Sequence, residues 1–83
     1  MKQMESNMFI EKIAQKDKPF VKLVGEDGNA FSIMGRVRGA WHSSDVEERE
    51  QIIHEYTERA TLGSYDHLLR VTREYINEDE IEE

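Results

Sequence analysis

The chain of 83 residues contains no cysteine and only one proline. The lack of cysteine excludes disulfide bonds and thiolate metal ligands, which often stabilise small secreted domains. No segment forms the apolar core of a signal peptide, and no run approaches the ~20 apolar residues of a membrane span. The sequence therefore predicts a soluble cytoplasmic protein with no membrane partner.

Basic residues are scarce relative to acidic ones, and the excess acid is unevenly distributed. Six of the 18 acidic residues lie in the last ten positions, so residues 1–73 carry 12 acids and 11 bases. Duplex DNA binding draws most of its energy from many Lys and Arg contacts to phosphate. A near-neutral body with an acidic tail therefore predicts no direct binding to duplex nucleic acid.

The order of the segments predicts an α+β fold, mostly helical: a small two-stranded sheet, or a single strand completed by an oligomer partner, followed by three helices. A β-prone run after Pro19 predicts a strand over 20–24. Its partner is left open, because residues 7–14 fit a helix or a hairpin strand and 76–81 fit an edge strand. The predicted parts are an N-terminal arm (1–18), a compact domain (19–77) and an acidic tail (78–83).

Polar capping residues mark the three predicted helix starts. Asn29 precedes the first helix, Ser44 and Glu47 form an S-x-x-E capping box before the second, and Ser64 precedes the third. Leu62 and Gly63 end the second helix. The predicted buried stripe of the first helix is Phe31, Met34, Val37 and Trp41. That of the second is Val46, Arg49, Ile53, Tyr56 and Ala60, with Ile52 beside it, and that of the third is Tyr65, Leu68, Leu69, Thr72 and Ile76. The predicted solvated face of the second helix is Glu47, Glu48, Glu50, Glu55 and Glu58.

The sequence contains no recognisable metal-binding, nucleophilic or phosphate-binding motif, and the residues that could suggest one have structural interpretations. Three histidines fall on separate predicted elements without the helical spacing of zinc ligands: His42, His54 and His67. Ser44 and Ser64 are assigned as caps, and no nucleophile turn surrounds them. Gly25 and Gly28 lack the Lys-Ser/Thr of a phosphate loop and are interpreted as a strand-to-helix turn. We therefore expect no enzyme activity, no metal and no cofactor.

The first helix carries two unusual features. Gly35 and Gly39 leave a bare strip at a cost of roughly 1 kcal/mol each, which predicts close approach by another helix or by a flat ligand. Between Ala30 and Ser44 there is no acid, whereas Arg36, Arg38, Trp41 and His42 are present. Arginine for phosphate and tryptophan for stacking are typical of nucleotide sites. Trp41 also lies on the apolar stripe, which favours the core for this residue.

Two motifs resemble a family of small proteins found in phages, prophages and bacterial genomes. They are G-N-A-F-x-I-x-G-x-V at 28–37 and G-x-Y-D-x-L-L at 63–69, and the similarity begins at Val21 and covers about two thirds of the chain. The family has no assigned activity, so the resemblance transfers no catalytic residue. It favours mobile-element biology, and hence a host-cytoplasmic protein that acts by binding.

Two binding functions are predicted. The first is an anti-defence protein that sequesters a nucleotide immune signal, a cyclic oligonucleotide, at two helix N-termini and nearby side chains. The second is an acidic inhibitor of a host nucleic-acid-binding or defence protein, acting through the second helix and the tail. The predicted ligand-binding residues are Asn29, Arg36, Arg38, Trp41, Ser64, Tyr65 and His67.

The N-terminal extension, residues 1–18, is not part of the resemblance. It predicts a homo-oligomer in which Met8, Phe9, Ile10 and Ile13 pack on a partner subunit. Clustering of Arg36 and Arg38 with the start of the third helix around one cavity would favour nucleotide binding. A continuous acidic surface would favour the inhibitor.

Overall fold

A computed structural model describes residues 8–23 and 28–79. The described elements are 3-10 helices at Phe9–Lys12 and Gln15–Asp17, strand β1 (Phe20–Val21), helices α1 (Ala30–Ala40), α2 (Val46–Ala60) and α3 (Tyr65–Tyr75), and strand β2 (Asn77–Glu78). The predicted α+β fold with a two-stranded sheet and three helices is confirmed. Residues 1–7 of the predicted N-terminal arm, Val24, Gly25 and tail residues 80–83, which carried sequence predictions, lie outside the described residues.

The sheet joins the segment that precedes α1 to the segment that follows α3. Strands β1 and β2 are parallel, because three helices carry the chain back to the same end before β2 begins. The Asn77 N–H donates to the Pro19 carbonyl at 2.8 Å, and the Asp79 N–H donates to the Val21 carbonyl at 2.9 Å. The edge-strand alternative near the C-terminus is therefore realised. The hairpin alternative for residues 7–14 is wrong within the described part, where a 3-10 helix forms.

The N-terminal segment packs on the chain's own core. Ile10 is buried, and Met8, Phe9 and Ile13 pack against the same cluster. The Asn77 side-chain amide donates to the carbonyls of residues 15 and 18, at 2.8 and 3.0 Å. The four apolar side chains that the sequence assigned to a partner subunit are thus used within the chain. The oligomeric state itself stays a prediction.

Helices α1 and α3 begin at the caps that the sequence predicts. Asn29 Oδ1 accepts from the Phe31 N–H at 2.8 Å, and Ser64 Oγ accepts from the His67 N–H at 3.2 Å. Each bond satisfies a backbone donor that has no partner inside its helix. Short-range chemistry therefore sets where both helices start.

Helix α2 begins one residue later than predicted. Asp45, and not Ser44, is the N-cap, and its Oδ1 accepts from the N–H groups of Glu47 and Glu48 at 3.0 and 3.3 Å. Ser43 Oγ donates to Glu48 Oε1 at 2.8 Å and accepts from the Asp45 N–H at 3.1 Å. A carboxylate interacts favourably with the positive end of the helix dipole, which explains why aspartate displaces the neighbouring serine as the cap.

The core lies between the three helices, β1 and the first 3-10 helix. Its buried residues are Ile10, Val21, Ile33, Val37, Trp41, Ile52, Tyr56, Ala60, Leu68, Val71, Thr72, Tyr75 and Ile76. The buried side chains recur every four residues, at positions 33, 37 and 41 along α1 and its C-cap, and at 52, 56 and 60 along α2. The buried face of each helix is therefore rotated by a fraction of a turn from the predicted stripe. Phe31, Val46 and Tyr65 consequently face solvent.

Two hydrogen bonds satisfy polar groups inside this core. Trp41 Nε1 donates to the Tyr75 carbonyl at 2.9 Å, and the Tyr56 and Thr72 hydroxyls lie 2.8 Å apart. Trp41 is 3% exposed, so the prediction that it belongs to the core is confirmed. Its ring is not available as a stacking platform for a ligand.

The glycines of α1 have more space than the sequence predicted. A Cβ atom placed on Gly35 or Gly39 would have no neighbour within 4 Å, whereas one on Gly63 would lie 2.9 Å from His67 Cγ. The close approach predicted for the α1 glycines is therefore not made by another part of the described chain. Close approaches to a glycine occur instead at Gly63, beside His67, and at Gly28, where a Cβ atom would lie 3.2 Å from the Tyr65 hydroxyl oxygen.

We expect opposite effects from alanine at these positions. Gly35→Ala should raise the free energy of unfolding by roughly 0.5–1 kcal/mol, since alanine has the higher helix propensity and the space is open. Gly63→Ala should lower it by about 1–3 kcal/mol, since the new methyl group overlaps the His67 ring. Urea denaturation measures both. Equal effects at the two sites would contradict this account of the glycines.

Candidate functional site

The predicted ligand residues do not gather around one cavity. Asn29, Ser64, Tyr65 and His67 lie where α1 and α3 begin, and the Tyr65 hydroxyl donates to the Gly28 carbonyl, which joins the two helix starts. His67 Nε2 is hydrogen-bonded to the Arg59 carbonyl at 2.8 Å. Asn29, Ser64 and His67 therefore have structural bonds of their own at this end of the molecule.

The two α1 arginines lie on different sides of their helix. Residues two positions apart are separated by about 200° around the helix axis. Arg38 lines a groove between α1 and α2, and Arg36, which is half-buried, does not. The predicted arginine pair is thus divided, and only Arg38 joins a groove.

The α1–α2 groove has a volume of about 330 Å³. Its lining residues are Arg38, Arg49, Glu50, Ile53, His54 and Thr57. Two guanidinium groups and one imidazole therefore share a single concave surface with one carboxylate. The size falls at the lower end of the range of small-molecule sites, about 300–1,000 Å³.

Arg49, predicted from the sequence to lie on the buried stripe of α2 and not to bind a ligand, lines this groove. Its Nε donates to the Trp41 carbonyl at 2.7 Å and its Nη2 donates to the Arg38 carbonyl at 2.6 Å. A cation at the C-terminal end of α1 also interacts favourably with the helix dipole. The guanidinium is consequently held in one orientation. An arginine within an apolar stripe was the sequence signal for such a role.

His54 lies at the outer side of the groove. Its Nε2 is 3.3 Å from Glu58 Oε2, one helical turn away, and both side chains are exposed. An exposed pair of this kind contributes little to stability. Among the described residues, no three His, Asp or Glu side chains are grouped as metal ligands.

A second groove lies beside the joined starts of α1 and α3, and we call it the α1–α3 groove. It has a volume of about 300 Å³, and its apolar lining consists of Ala30, Phe31, Met34, Ala60, Tyr65 and Leu68. Its other lining residues are uncharged: Thr61, Gly63 and Ser64. The two sequence motifs at 28–37 and 63–69 meet at this groove.

The acidic face of α2 is smaller than predicted. Glu48 is bonded to Ser43, and Glu55 accepts from the backbone N–H groups of Phe9 and Ile10, at 2.6 and 3.1 Å. Three exposed carboxylates remain on this helix: Glu47, Glu50 and Glu58. The acidic-inhibitor function stays a prediction that depends on these three residues and on a tail outside the described residues.

The described helices are all too short or too polar to cross a membrane. Comparison of the chain with family models, with curated proteins and with solved structures finds no match.

Proposed function

We propose that this protein is a non-enzymatic binding protein of phage type that sequesters a nucleotide in the α1–α2 groove. The observation that carries the proposal is that Arg38 and Arg49, from two different helices, line the same groove. Two guanidinium groups converging on one concave surface are suited to a phosphate-bearing ligand. A cyclic oligonucleotide immune signal is the member of this class that the phage resemblance favours.

The two arginines have complementary parts in this proposal. Arg49 is oriented by its bonds to two backbone carbonyls, and its remaining N–H donors serve the ligand without further ordering. Arg38 is exposed, and its planar group stacks on a base or pairs with a second phosphate oxygen. Ile53 and Thr57 supply an apolar contact and a hydroxyl.

The charge distribution of the chain supports an anionic ligand at this place. Residues 1–73 carry 12 acids and 11 bases, so the body of the chain as a whole has a slight excess of acid and no net attraction for phosphate. The α1–α2 groove reverses that balance locally, because its lining contains two arginines and a histidine against Glu50. Opposite charge in a cleft raises the local concentration of the ligand, and salt weakens the effect.

A thermal-shift screen against mono-, di- and cyclic nucleotides tests the proposal. A ligand at 100 times its dissociation constant adds about 2.7 kcal/mol of stability, which for a domain of this size raises the melting temperature by roughly 10–20 °C. We expect a shift with one nucleotide class and its loss in Arg38→Ala.

Arg70→Ala is the matched control, because Arg70 is exposed on α3 and does not line the groove. It should retain the full shift. Equal losses in both variants would indicate non-specific charge attraction and contradict the site. The absence of a shift with every nucleotide would reject sequestration and direct the search to a protein target of the acidic α2 face.

A further inference from the structure

The α1–α3 groove is bordered by large apolar side chains that the fold leaves in solvent. Phe31 is 80% exposed, Leu62 is 78% exposed and Tyr65 is 46% exposed. All three are close in sequence to a helix start or end at this groove: the start of α1, the end of α2 and the start of α3. Phe31 and Tyr65 also line the groove, and Leu62 lies between its lining residues Thr61 and Gly63 in the sequence. Exposed large apolar side chains at a concave apolar lining are typical of an interaction site.

The position of Phe31 is the distinctive feature of this surface. Its side chain contributes to the lining of the groove, yet most of it is exposed. The surface therefore carries a protruding aromatic side chain and a concave apolar site next to each other. Such a surface is complementary to itself under two-fold symmetry, because each copy supplies an aromatic side chain and the other copy supplies the groove that accepts it.

Charge also favours a second copy of this chain at this surface. Each copy carries a net charge of −7, most of it from the last ten residues, and two copies repel one another wherever such acidic segments meet. None of the described residues that line the α1–α3 groove is charged. Contact through this surface brings no lining carboxylates together, so the apolar contact is not opposed by repulsion within the groove.

We propose that the α1–α3 groove is a self-association surface, on which two copies pack by a two-fold axis and each inserts Phe31 into the groove of the other. The groove volume of about 300 Å³ accommodates an aromatic side chain. Leu62 and Tyr65 cover the inserted ring from the groove's rim. This surface differs from the α1–α2 groove, so nucleotide binding and self-association are separately testable.

The available apolar area predicts a weak dimer. Phe31, Leu62 and Tyr65 together expose roughly 400 Å² per copy, taking about 200 Å² for a fully exposed large side chain, which is about half of the ~800 Å² per partner in a standard interface. The expected state is therefore a monomer–dimer equilibrium that responds to protein concentration. An obligate dimer would require a larger surface.

Sedimentation velocity of the full chain over a concentration series tests the proposal. For the unmodified protein, the weight-average mass should rise from the 9.8 kDa of the monomer toward that of a dimer as the concentration increases. Phe31→Asp should weaken dimerisation by roughly tenfold or more, because it places a charge in a buried contact of the interface centre. Leu62→Asp, on the rim, should weaken it in the same direction.

Phe20→Asp is the matched control, because Phe20 is 71% exposed on β1 and does not line the groove. It should dimerise as the unmodified chain does. Far-UV circular dichroism melts confirm that each variant folds, and Leu62→Asp decides the outcome if Phe31→Asp does not fold.

Two results would overturn the proposal. One is a monomer at every concentration, and the other is a dimer that tolerates Asp at both 31 and 62.

Discussion

Replacing Glu55 with alanine is expected to lower the free energy of unfolding by about 3–5 kcal/mol, because hydrogen bonds to a charged group contribute ~1.5–3 kcal/mol each. The Glu55 carboxylate accepts from the N–H groups of Phe9 and Ile10, at 2.6 and 3.1 Å. It also accepts from the Tyr75 hydroxyl at 2.6 Å. One side chain thus attaches the first 3-10 helix to α2 and α3.

Loss of this carboxylate affects packing as well as hydrogen bonding. Ile10, whose N–H is one of these donors, is buried in the core, and Met8, Phe9 and Ile13 pack against this core. Without Glu55, two backbone donors at the start of the 3-10 helix lose their acceptor, and the buried Tyr75 hydroxyl loses one of its partners. We therefore expect faster amide hydrogen exchange at positions 9–13 before the global unfolding transition.

Urea denaturation followed by Trp41 fluorescence measures the change in stability. Glu58→Ala is the control, since Glu58 is exposed on the same helix and its carboxylate pairs with the exposed His54. It should change the free energy of unfolding by less than about 0.5 kcal/mol. The loss of unfolding free energy in Glu55→Gln should lie between those of Glu55→Ala and Glu58→Ala, because the amide keeps an acceptor oxygen but lacks the charge. A Glu55→Ala variant as stable as Glu58→Ala would refute this role.

Glu55 also illustrates what a single sequence does not reveal. The helix pattern places Glu55 among the solvated glutamates of α2, and its bonds reach residues 9, 10 and 75. Such contacts depend on how three elements pack, and no local pattern specifies that packing. Local signals were sufficient elsewhere. The Asn29 and Ser64 caps act on backbone groups two or three residues away, so the sequence alone predicts them.

The sequence also predicts only part of the candidate site, because local composition identifies the α1 arginines but does not show which of them faces the groove. Absence of acid across α1 drew attention to Arg36 and Arg38, but the direction in which each points depends on which face of α1 is buried. The row Ile33, Val37 and Trp41 faces the core, and this leaves only Arg38 at the groove. Arg49 comes from a different helix, so its convergence with Arg38 is a property of helix packing.

At alkaline pH, stability should fall because two buried tyrosines remain protonated in the folded chain. Tyr56 and Tyr75 are fully buried. Burial raises the pKa of the Tyr56 hydroxyl, and the bond to Thr72 opposes this only in part. Burial raises the pKa of Tyr75 further above its ordinary value of 10.0, and the bond to Glu55 adds to the rise.

The sign follows from proton linkage. A group whose pKa is higher in the folded state contributes stability that is fully present below its unfolded pKa, here near 10.0, and that is lost as the pH rises above that value. Between about pH 10 and the folded pKa, each buried tyrosine therefore lowers the free energy of unfolding by about 1.4 kcal/mol per pH unit. When both Tyr56 and Tyr75 contribute, the fall in the free energy of unfolding per pH unit approaches twice this value.

Comparison of the unmodified chain with Tyr75→Phe isolates one of the two groups. The variant should be less stable near neutral pH, because Glu55 loses the hydroxyl that it accepts from. Its free energy of unfolding, measured by urea titration at intervals between about pH 9 and pH 11, should fall less steeply, by about 1.4 kcal/mol per pH unit. Since all other titrating groups are shared, the difference between the two curves reports Tyr75 alone. Parallel curves would mean that the Tyr75 hydroxyl ionises as readily in the folded chain as in the unfolded one, and would contradict its burial between α2 and α3.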